Sequence, residues 1–299
     1  DRLNSLLLSN AVALGETRIA TSSTGNHGAS TAAYARRAGA DEVIVLVPHA
    51  TEPPCRLQIR AYGAEAIVTD YAGRGTLLSA LVERGWYPTV NVTESHTGLP
   101  YGYEGYKTIA FELVDQLGGA PDAVCTAVGA GDGLYGIWKG FRELRDLGVI
   151  DATPRMVGAE PAERGPLAHA VGALAELPDD DEEDILTTST MSFAVGEHAV
   201  EAVEESGGTA VTIEREAVET ALRTAGREGI YLEPASALPV AAVDELVADG
   251  VVGRGESVVC VGTGAGVKWP EHTEDALGAV PVIEPTLEAL EAAVPFSLD

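Results

Sequence analysis

Apolar positions along the chain follow two alternating periods. Short runs rich in Val, Ile, Ala and Thr predict buried strands, and longer stretches with apolar positions three or four residues apart predict helices. The predicted strands are residues 18–22, 42–47, 66–69, 89–92, 123–128, 156–159, 209–213 and 257–262. The predicted helices are residues 3–14, 29–38, 55–62, 76–84, 104–117, 134–147, 217–225 and 235–248.

Glycine, proline, aspartate or asparagine punctuates nearly every junction between these elements. The alternation of strands and helices predicts an α/β fold, with parallel sheets covered by helices. We expect two lobes: a small α/β domain of residues 16–100, and a large domain of residues 1–15 and 101–299. Beyond Pro270 the acidic tail predicts a short strand, followed by a helix at residues 286–293.

Four turns rich in glycine and other small residues stand out in this alternation. They are Ser-Thr-Gly-Asn-His-Gly at 23–28, Gly-Ala-Gly-Asp-Gly at 129–133, Glu-Pro-Ala-Ser-Ala at 233–237 and Gly-Thr-Gly-Ala-Gly at 262–266. Three of them follow predicted strands. Because α/β proteins bind small ligands at the carboxyl ends of parallel strands, the set predicts one pocket for an anionic cofactor and its substrate.

The first turn joins a strand to the start of a helix, where free backbone N–H groups and the helix dipole attract an anion. Ser23 and Thr24 add hydroxyl donors, and Asn26 adds an amide. A carboxylate is the ligand this set favours. An ordinary capped turn between a strand and a helix is the alternative.

The second turn has the composition of a phosphate-binding loop, with backbone amides presented before a helix. The charge of Asp132 would then have to point away from the phosphate. A rival interpretation exists, because residues 131–136 match G-x-G-x-x-G and Glu160 ends the next predicted strand. That arrangement is typical of a nicotinamide-dependent oxidoreductase.

In the fourth turn, the hydroxyl of Thr263 can hydrogen-bond a ring nitrogen without charging it. Glu233 stands before Pro234 at a helix start, where we expect it to cap the helix rather than to act in catalysis. The six histidines and three cysteines have no metal-ligand or disulfide spacing, so no metal site is predicted.

The charge balance of the chain limits the kinds of partner that it can bind. With 46 acidic and 19 basic residues, the net charge is −27. Nucleic acids and anionic membranes are poor partners for such a chain, since phosphate contacts need clustered Lys or Arg. The acidity favours adaptation to high salt, where screening removes self-repulsion. No long apolar run and no signal peptide is visible, which predicts a cytoplasmic protein.

The turns in this order, together with Asp1-Arg2, Glu104-Gly105-Tyr106-Lys107 and Trp138-Lys139-Gly140, resemble pyridoxal-phosphate enzymes of fold type II. Within that group the chain is most similar to the threonine synthase and threonine dehydratase enzymes. The resemblance implies that Asn26 meets the ring hydroxyl of the cofactor and that Thr263 meets its ring nitrogen. It further implies a phosphate cradle made of Gly129, Ala130, Gly131, Asp132 and Gly133. A substrate carboxylate would be held by Ser23, Thr24, Gly25 and His27.

The implied reaction removes the α-proton of a small amino-acid substrate and then expels a β or γ substituent. Conversion of phosphohomoserine to threonine and phosphate is the first expectation, and a threonine or serine ammonia-lyase is the alternative. A homodimer is also expected from the resemblance.

Two departures from the family pattern affect these expectations. The Schiff-base lysine of the family stands directly before an Asp-Arg pair, whereas this chain begins with Asp1-Arg2, so we expect that lysine immediately before Asp1. A lysine-free binding protein without catalysis is the alternative. The second departure is Leu99-Pro100-Tyr101-Gly102, where threonine synthases usually carry Asn-Pro-Tyr-Arg. Remaining donors for a substrate phosphate would be the hydroxyls of Thr93, Ser95, Thr97, Tyr101 and Tyr103.

Overall fold

The computed structural model describes residues 1–92, 99–178, 186–190, 192 and 194–298, and contains two four-stranded parallel sheets. The first sheet has the order β3-β2-β1-β4 and the second has the order β7-β6-β5-β8. The strands are β1 (Arg18–Ser22), β2 (Glu42–Pro48), β3 (Glu65–Thr69), β4 (Tyr87–Pro88), β5 (Ala123–Ala127), β6 (Arg155–Pro161), β7 (Thr209–Ile213) and β8 (Val258–Val261).

Helices cover the sheets. They are α1 (Arg2–Ala13), α2 (Asn26–Arg37), α3 (Pro53–Ala61), α4 (Tyr71–Val82), α5 (Pro100–Leu117), α6 (Asp132–Asp146), α7 (Pro166–Ala170), α8 (Glu197–Ser206), α9 (Arg215–Arg227), α10 (Pro234–Ala248), α11 (Pro270–Leu277) and α12 (Leu287–Ala293). Short 3-10 turns lie at Thr188–Thr190 and Gly266–Lys268.

The strand order explains where a ligand can bind. In the first sheet, β1 lies between β2 and β4, so the chain leaves it on one side and returns on the other. In the second sheet, β5 lies between β6 and β8 in the same way. Such reversals leave a crevice at the carboxyl ends of the strands. The turns at 23–28 and 129–133 follow β1 and β5, and therefore open onto these crevices.

The core follows from the apolar periodicity. On α6, the buried face carries Leu134, Ile137, Trp138 and Phe141, which repeat every three or four residues. On α1, the buried face carries Leu3, Leu7 and Leu8, which pack with the first sheet. Arg2 joins α1 to α5, because its guanidinium donates to the Glu112 carboxylate at 2.7 and 2.6 Å.

The predicted α/β fold is confirmed, and most predicted elements are present within a few residues of their expected ends. The strand expected at 89–92 lies earlier, at Tyr87–Pro88, where it pairs with Ile19 and Ala20 for two residues only. Pro88 has no N–H to donate, which suits an edge strand. The division into domains at residues 16–100 stays a prediction.

The tail departs from expectation. The residues after Pro270 form α11 instead of a strand, and no strand occurs among described residues 271–298. Pro270 at the first helical position favours this start, because its missing N–H would have no partner there anyway. The helix expected at 286–293 is present as α12, with no buried residue.

Across the described ranges, every helix is too short or too polar to cross a bilayer. Nor do the His, Cys, Asp and Glu side chains of those ranges form a group that could hold a metal ion.

Candidate active site

Three of the four glycine-rich turns meet at Glu233, and Ser189 links this residue to the remaining one. Nδ2 of Asn26 in the first turn donates to Oε1 and Oε2 of Glu233 at 2.9 and 2.8 Å. The backbone N–H of Glu233 donates to the carbonyl of Gly264 in the fourth turn at 3.1 Å. Ser189 donates to Oε1 at 3.4 Å, and its own carbonyl faces Gly129 of the second turn. The first, third and fourth turns are therefore joined at one buried residue, and the second turn lies beyond Ser189.

Glu233 corrects one expectation. It occupies the position before α10, but its side chain makes no hydrogen bond to that helix. The predicted capping role is therefore wrong, because the carboxylate is committed to Asn26 and Ser189 instead. Burial raises the pKa of Glu233, and the Asn26 hydrogen bond and the nearby charge of Lys268 act against that rise.

The first turn is fixed by Ser23. Its hydroxyl oxygen accepts the backbone N–H of Gly25 at 3.1 Å and that of Gly28 at 2.8 Å. The carbonyl of Thr24 accepts a hydrogen bond from the Thr51 hydroxyl at 3.0 Å. These bonds fix the conformation of the turn before α2, and the substrate contacts of Ser23, Thr24 and Gly25 stay predictions.

His27 lies in a polar cluster between α1, α2 and the residue after β4. Its Nε2 is 3.1 Å from the hydroxyl of Thr89 and 3.4 Å from that of Thr31, and its Nδ1 is 3.4 Å from Nδ2 of Asn4. Burial lowers the pKa of His27 to about 4. The imidazole is therefore neutral at pH 7, and any contact with a substrate carboxylate would be a hydrogen bond rather than an ion pair.

The second turn has the geometry of an anion cradle. Gly131 has φ of 96°, which favours glycine, and a Cβ on it would overlap Cβ of Ala199. At this end of α6, Tyr135 donates its N–H to the Gly131 carbonyl at 3.0 Å. The amides before Tyr135 are the N–H groups that a helix start leaves without an intrahelical acceptor, and together they can hold a phosphate.

Asp132 is turned toward α8. Its Oδ1 lies 3.0 Å from Nε2 of His198. The ring of His198 packs against Tyr103 and Tyr135, with centroid separations of 5.0 and 5.3 Å. This contact gives the carboxylate a partner on α8, as the interpretation of the loop as a phosphate cradle requires.

The fourth turn is held by Ser236, a residue without an assigned role in the sequence. The fully buried Ser236 hydroxyl accepts the N–H of Thr263 at 3.2 Å and that of Gly264 at 2.8 Å. Oγ1 of Thr263 lies 3.4 Å from the same hydroxyl, while the Thr263 residue is exposed. Thr263 therefore offers a neutral hydroxyl at a fixed place at the mouth of the site.

This donor set fits pyridoxal phosphate. Amides at the start of α6 suit its phosphate, and the hydroxyl of Thr263 suits a pyridine nitrogen. Oδ1 of Asn26 is buried and has no hydrogen-bond partner among the described residues, so it suits the ring hydroxyl.

The three lysines have distinct surroundings. Lys107 forms ion pairs with Glu104 and with Glu143, the latter at 2.8 Å, and Lys139 pairs with Glu104. Lys268 lies near the site, where its carbonyl accepts the Cys55 thiol at 3.5 Å. Lys107 and Lys139 are therefore occupied in an ion-pair cluster between α5 and α6.

Two residues of the dinucleotide-binding pattern, Gly136 and Glu160, make structural contacts within the protein. The carboxylate of Glu160 accepts the N–H groups of Leu167 and Ala168 at 2.9 and 2.8 Å, at the start of α7. Burial raises the pKa of Glu160 to about 6. A Cβ on Gly136 would overlap Tyr106, so this glycine permits close packing of α5 on α6. Neither residue is arranged for a nucleotide.

The family's arginine position is closed in this chain. Gly102 is buried, and a Cβ on it would overlap Cδ1 of Leu3. Of the two tyrosines expected as phosphate donors, Tyr101 is exposed and Tyr103 is buried against Tyr135. The other expected donors, Thr93, Ser95 and Thr97, lie outside the described residues.

Comparison with known proteins agrees with this site. A family model for pyridoxal-phosphate dependent enzymes matches residues 1–264. A threonine synthase of Methanosarcina acetivorans is 34% identical over 300 residues, covering 98% of this chain and 73% of that protein. A threonine synthase of Mycobacterium tuberculosis is 36% identical over 287 residues, covering 95% of this chain and 77% of that protein.

Solved structures share the fold. The processed form of threonine deaminase isoform 2 from Solanum lycopersicum has a TM-score of 0.75 at 19% identity, covering 93% of this chain and 79% of that one. A fungal L-serine ammonia-lyase from Rhizomucor miehei has a TM-score of 0.75 at 22% identity, covering 92% and 86%. The predicted fold type II architecture and the cofactor are confirmed, and the nicotinamide and non-catalytic alternatives are not. This chain belongs to the family of pyridoxal-phosphate dependent enzymes and is a lyase.

Proposed function

We propose that the protein converts phosphohomoserine to threonine and phosphate. The observation that carries this proposal is the 34–36% identity to threonine synthases over 95–98% of the chain, which includes all four turns of the site. Bound pyridoxal phosphate supplies the electron sink for removal of the α-proton. A neutral partner such as Thr263 leaves the ring nitrogen uncharged, which favours elimination over transamination.

The resemblance assigns a role to each site residue, and we propose these roles for this chain. Asn26 meets the ring hydroxyl and Thr263 meets the ring nitrogen. The phosphate is held by the loop Gly129, Ala130, Gly131, Asp132 and Gly133. The substrate carboxylate is held in the first turn by Ser23, Thr24, Gly25 and His27. Two observations support these roles. Contacts at Glu233 bring Asn26 close to the turn that carries Thr263. Oδ1 of Asn26 is buried without a hydrogen-bond partner among the described residues, and the first amides of α6 can hold a phosphate.

We place the lysine that carries the cofactor directly before Asp1. In support, Lys107 and Lys139 are engaged with Glu104 and Glu143. Asp1 itself lies near Lys268, and therefore beside the site.

Ammonia release from threonine or serine is the second candidate. It is favoured by Gly102, because no arginine fits at that position while Leu3 packs against it. A phosphate dianion would then rely on hydroxyl donors. The His27-Gly28 pair also resembles the first turn of threonine and serine dehydratases.

The test offers phosphohomoserine, threonine and serine separately to the cofactor-loaded full-length protein, and follows phosphate and ammonia. Threonine and phosphate formed in equal amounts from phosphohomoserine support the first candidate. Ammonia from threonine or serine, with no phosphate from phosphohomoserine, transfers the proposal to the second. In the same assay, Thr263→Ala should lower the turnover of the preferred substrate. Thr263→Ser is the matched control for this variant, because it retains the hydroxyl.

Four properties of the whole protein complete the proposal. The small domain spans residues 16–100, with the rest in the large domain, in keeping with one sheet in each part. The protein is a homodimer, as the resemblance implies, and it is cytoplasmic, as the sequence predicts. It is adapted to high salt, which the net charge of −27 supports.

The homodimer is tested by light scattering, which measures the mass of the protein in solution. The mass of a single subunit across micromolar concentrations would reject the dimer.

A further inference from the structure

The contact between Asn26 and Glu233 is almost fully buried. Glu233 is 2% exposed, and both of its carboxylate oxygens lie within 2.9 Å of Nδ2 of Asn26. Ser189 supplies a further donor at 3.4 Å. A carboxylate in such a place is costly unless donors satisfy it. The side chain does not cap α10, and its shortest hydrogen bonds are those to Asn26.

The chemistry of the carboxylate fixes the orientation of the amide. An ionised carboxylate only accepts hydrogen bonds, so Asn26 must turn its NH2 group toward Glu233. Oδ1 of Asn26 then points away from Glu233. That atom is buried and lacks a hydrogen-bond partner within the described residues. Because buried acceptors are nearly always satisfied, Oδ1 calls for a donor from a bound molecule.

Gly264 makes room for this arrangement. A Cβ on Gly264 would overlap the carboxylate carbon and both oxygens of Glu233. The backbone N–H of Glu233 also donates to the Gly264 carbonyl at 3.1 Å. The backbone N–H of Glu233, which a side-chain substitution leaves in place, thus holds the turn that carries Thr263, whereas its carboxylate holds the amide of Asn26.

We propose that Glu233 is a positioning residue that orients Asn26, so that Oδ1 accepts a hydrogen bond from the ring hydroxyl of pyridoxal phosphate. The proposal rests on the proposed contact between Asn26 and the cofactor. Glu233 acts through Asn26 and does not touch the reacting atoms. Its contact also joins α2, beside the first sheet, to α10, beside the second.

The test is a double-mutant cycle on the dissociation constant of pyridoxal phosphate, measured with the full-length protein. Asn26→Ala and Glu233→Ala should each weaken binding about tenfold, the range expected for one buried hydrogen bond. The double variant should bind about as weakly as Asn26→Ala alone, because Glu233 acts only through Asn26. Glu233→Gln retains one acceptor and should lose less than Glu233→Ala.

Thermal unfolding of the cofactor-free proteins separates positioning from folding. Glu160→Gln is the matched control, since it alters a buried carboxylate that holds α7. It should lower Tm and leave the dissociation constant unchanged. Glu233 variants that behave like Glu160→Gln, fail to fold, or add their full effect to that of Asn26→Ala would overturn the positioning role. An unchanged dissociation constant for Asn26→Ala would overturn its cofactor contact too, whereas the substrate assay tests the proposed reaction independently.

Discussion

Glu52, at the start of α3, holds the beginning of α11 through His272. Its carboxylate accepts the N–H of Glu271 and that of His272, each at 2.9 Å, and also contacts Nδ1 of the His272 ring. The Glu52 side chain is 1% exposed. The tail segment is thereby fixed to the part of the chain that carries the first sheet, close to Trp269 and Gly25 of the site.

Removing this carboxylate should destabilise the protein. Glu52→Ala leaves two amides at the start of α11 without an acceptor, at a cost of about 2 kcal/mol in the free energy of unfolding. Urea denaturation of the cofactor-free protein measures it. Glu65→Gln, at an exposed position, is the control and should change little. Equal stability of Glu52→Ala and wild type would show that α11 is held by other contacts.

His27 should make stability depend on pH. Burial lowers its pKa to about 4, from an ordinary 6.5, so between these values the unfolded chain binds a proton that the folded chain does not. The free energy of unfolding should therefore fall by about 2 kcal/mol between pH 7 and pH 5 through this group.

His27→Gln should remove that part of the pH dependence in urea titrations at the two pH values. The exposed His49 provides the matched control His49→Gln, which should retain the wild-type slope. Glu160, with its pKa raised to about 6, contributes with the opposite sign in all three proteins. An identical slope for His27→Gln and wild type would contradict a buried neutral imidazole.

Thr263→Ala should lower turnover without lowering Tm. Thr263 is exposed, so the fold does not depend on its side chain, whereas a hydrogen bond to the ring nitrogen would be lost. The loss expected for one such bond is about 10- to 100-fold in kcat/KM. Thr263→Ser should retain most activity. Full turnover by Thr263→Ala would contradict the proposed hydrogen bond between Thr263 and the ring nitrogen.

Salt should stabilise the fold. A net charge of −27 causes self-repulsion that counterions screen. Tm should therefore rise between low and molar potassium chloride. A flat or falling Tm over that range would reject adaptation to high salt.

The sequence predicted those features that have a local signal. The run of Ile19, Ala20 and Thr21 ends at a small polar turn, and β1 has the expected ends. The Glu52–His272, Asp132–His198 and Ser189–Glu233 contacts have no local signal, because they join residues between 44 and 220 positions apart. The role of Glu233 was missed for the same reason. Its place before Pro234 suggests a cap, and only the folded chain brings Asn26 to it.

The central claim is that the four turns form one pyridoxal-phosphate site, and the most direct measurement is an absorbance spectrum of the full-length protein before and after borohydride. The account predicts a visible band from covalently held cofactor, which borohydride bleaches. Gly131→Val should lose this band, because its side chain would clash with Ala199 and its positive φ would be strained, so that the phosphate loop is distorted. Absence of a visible band from the cofactor-loaded wild-type protein, or an undiminished band in folded Gly131→Val, would contradict the account.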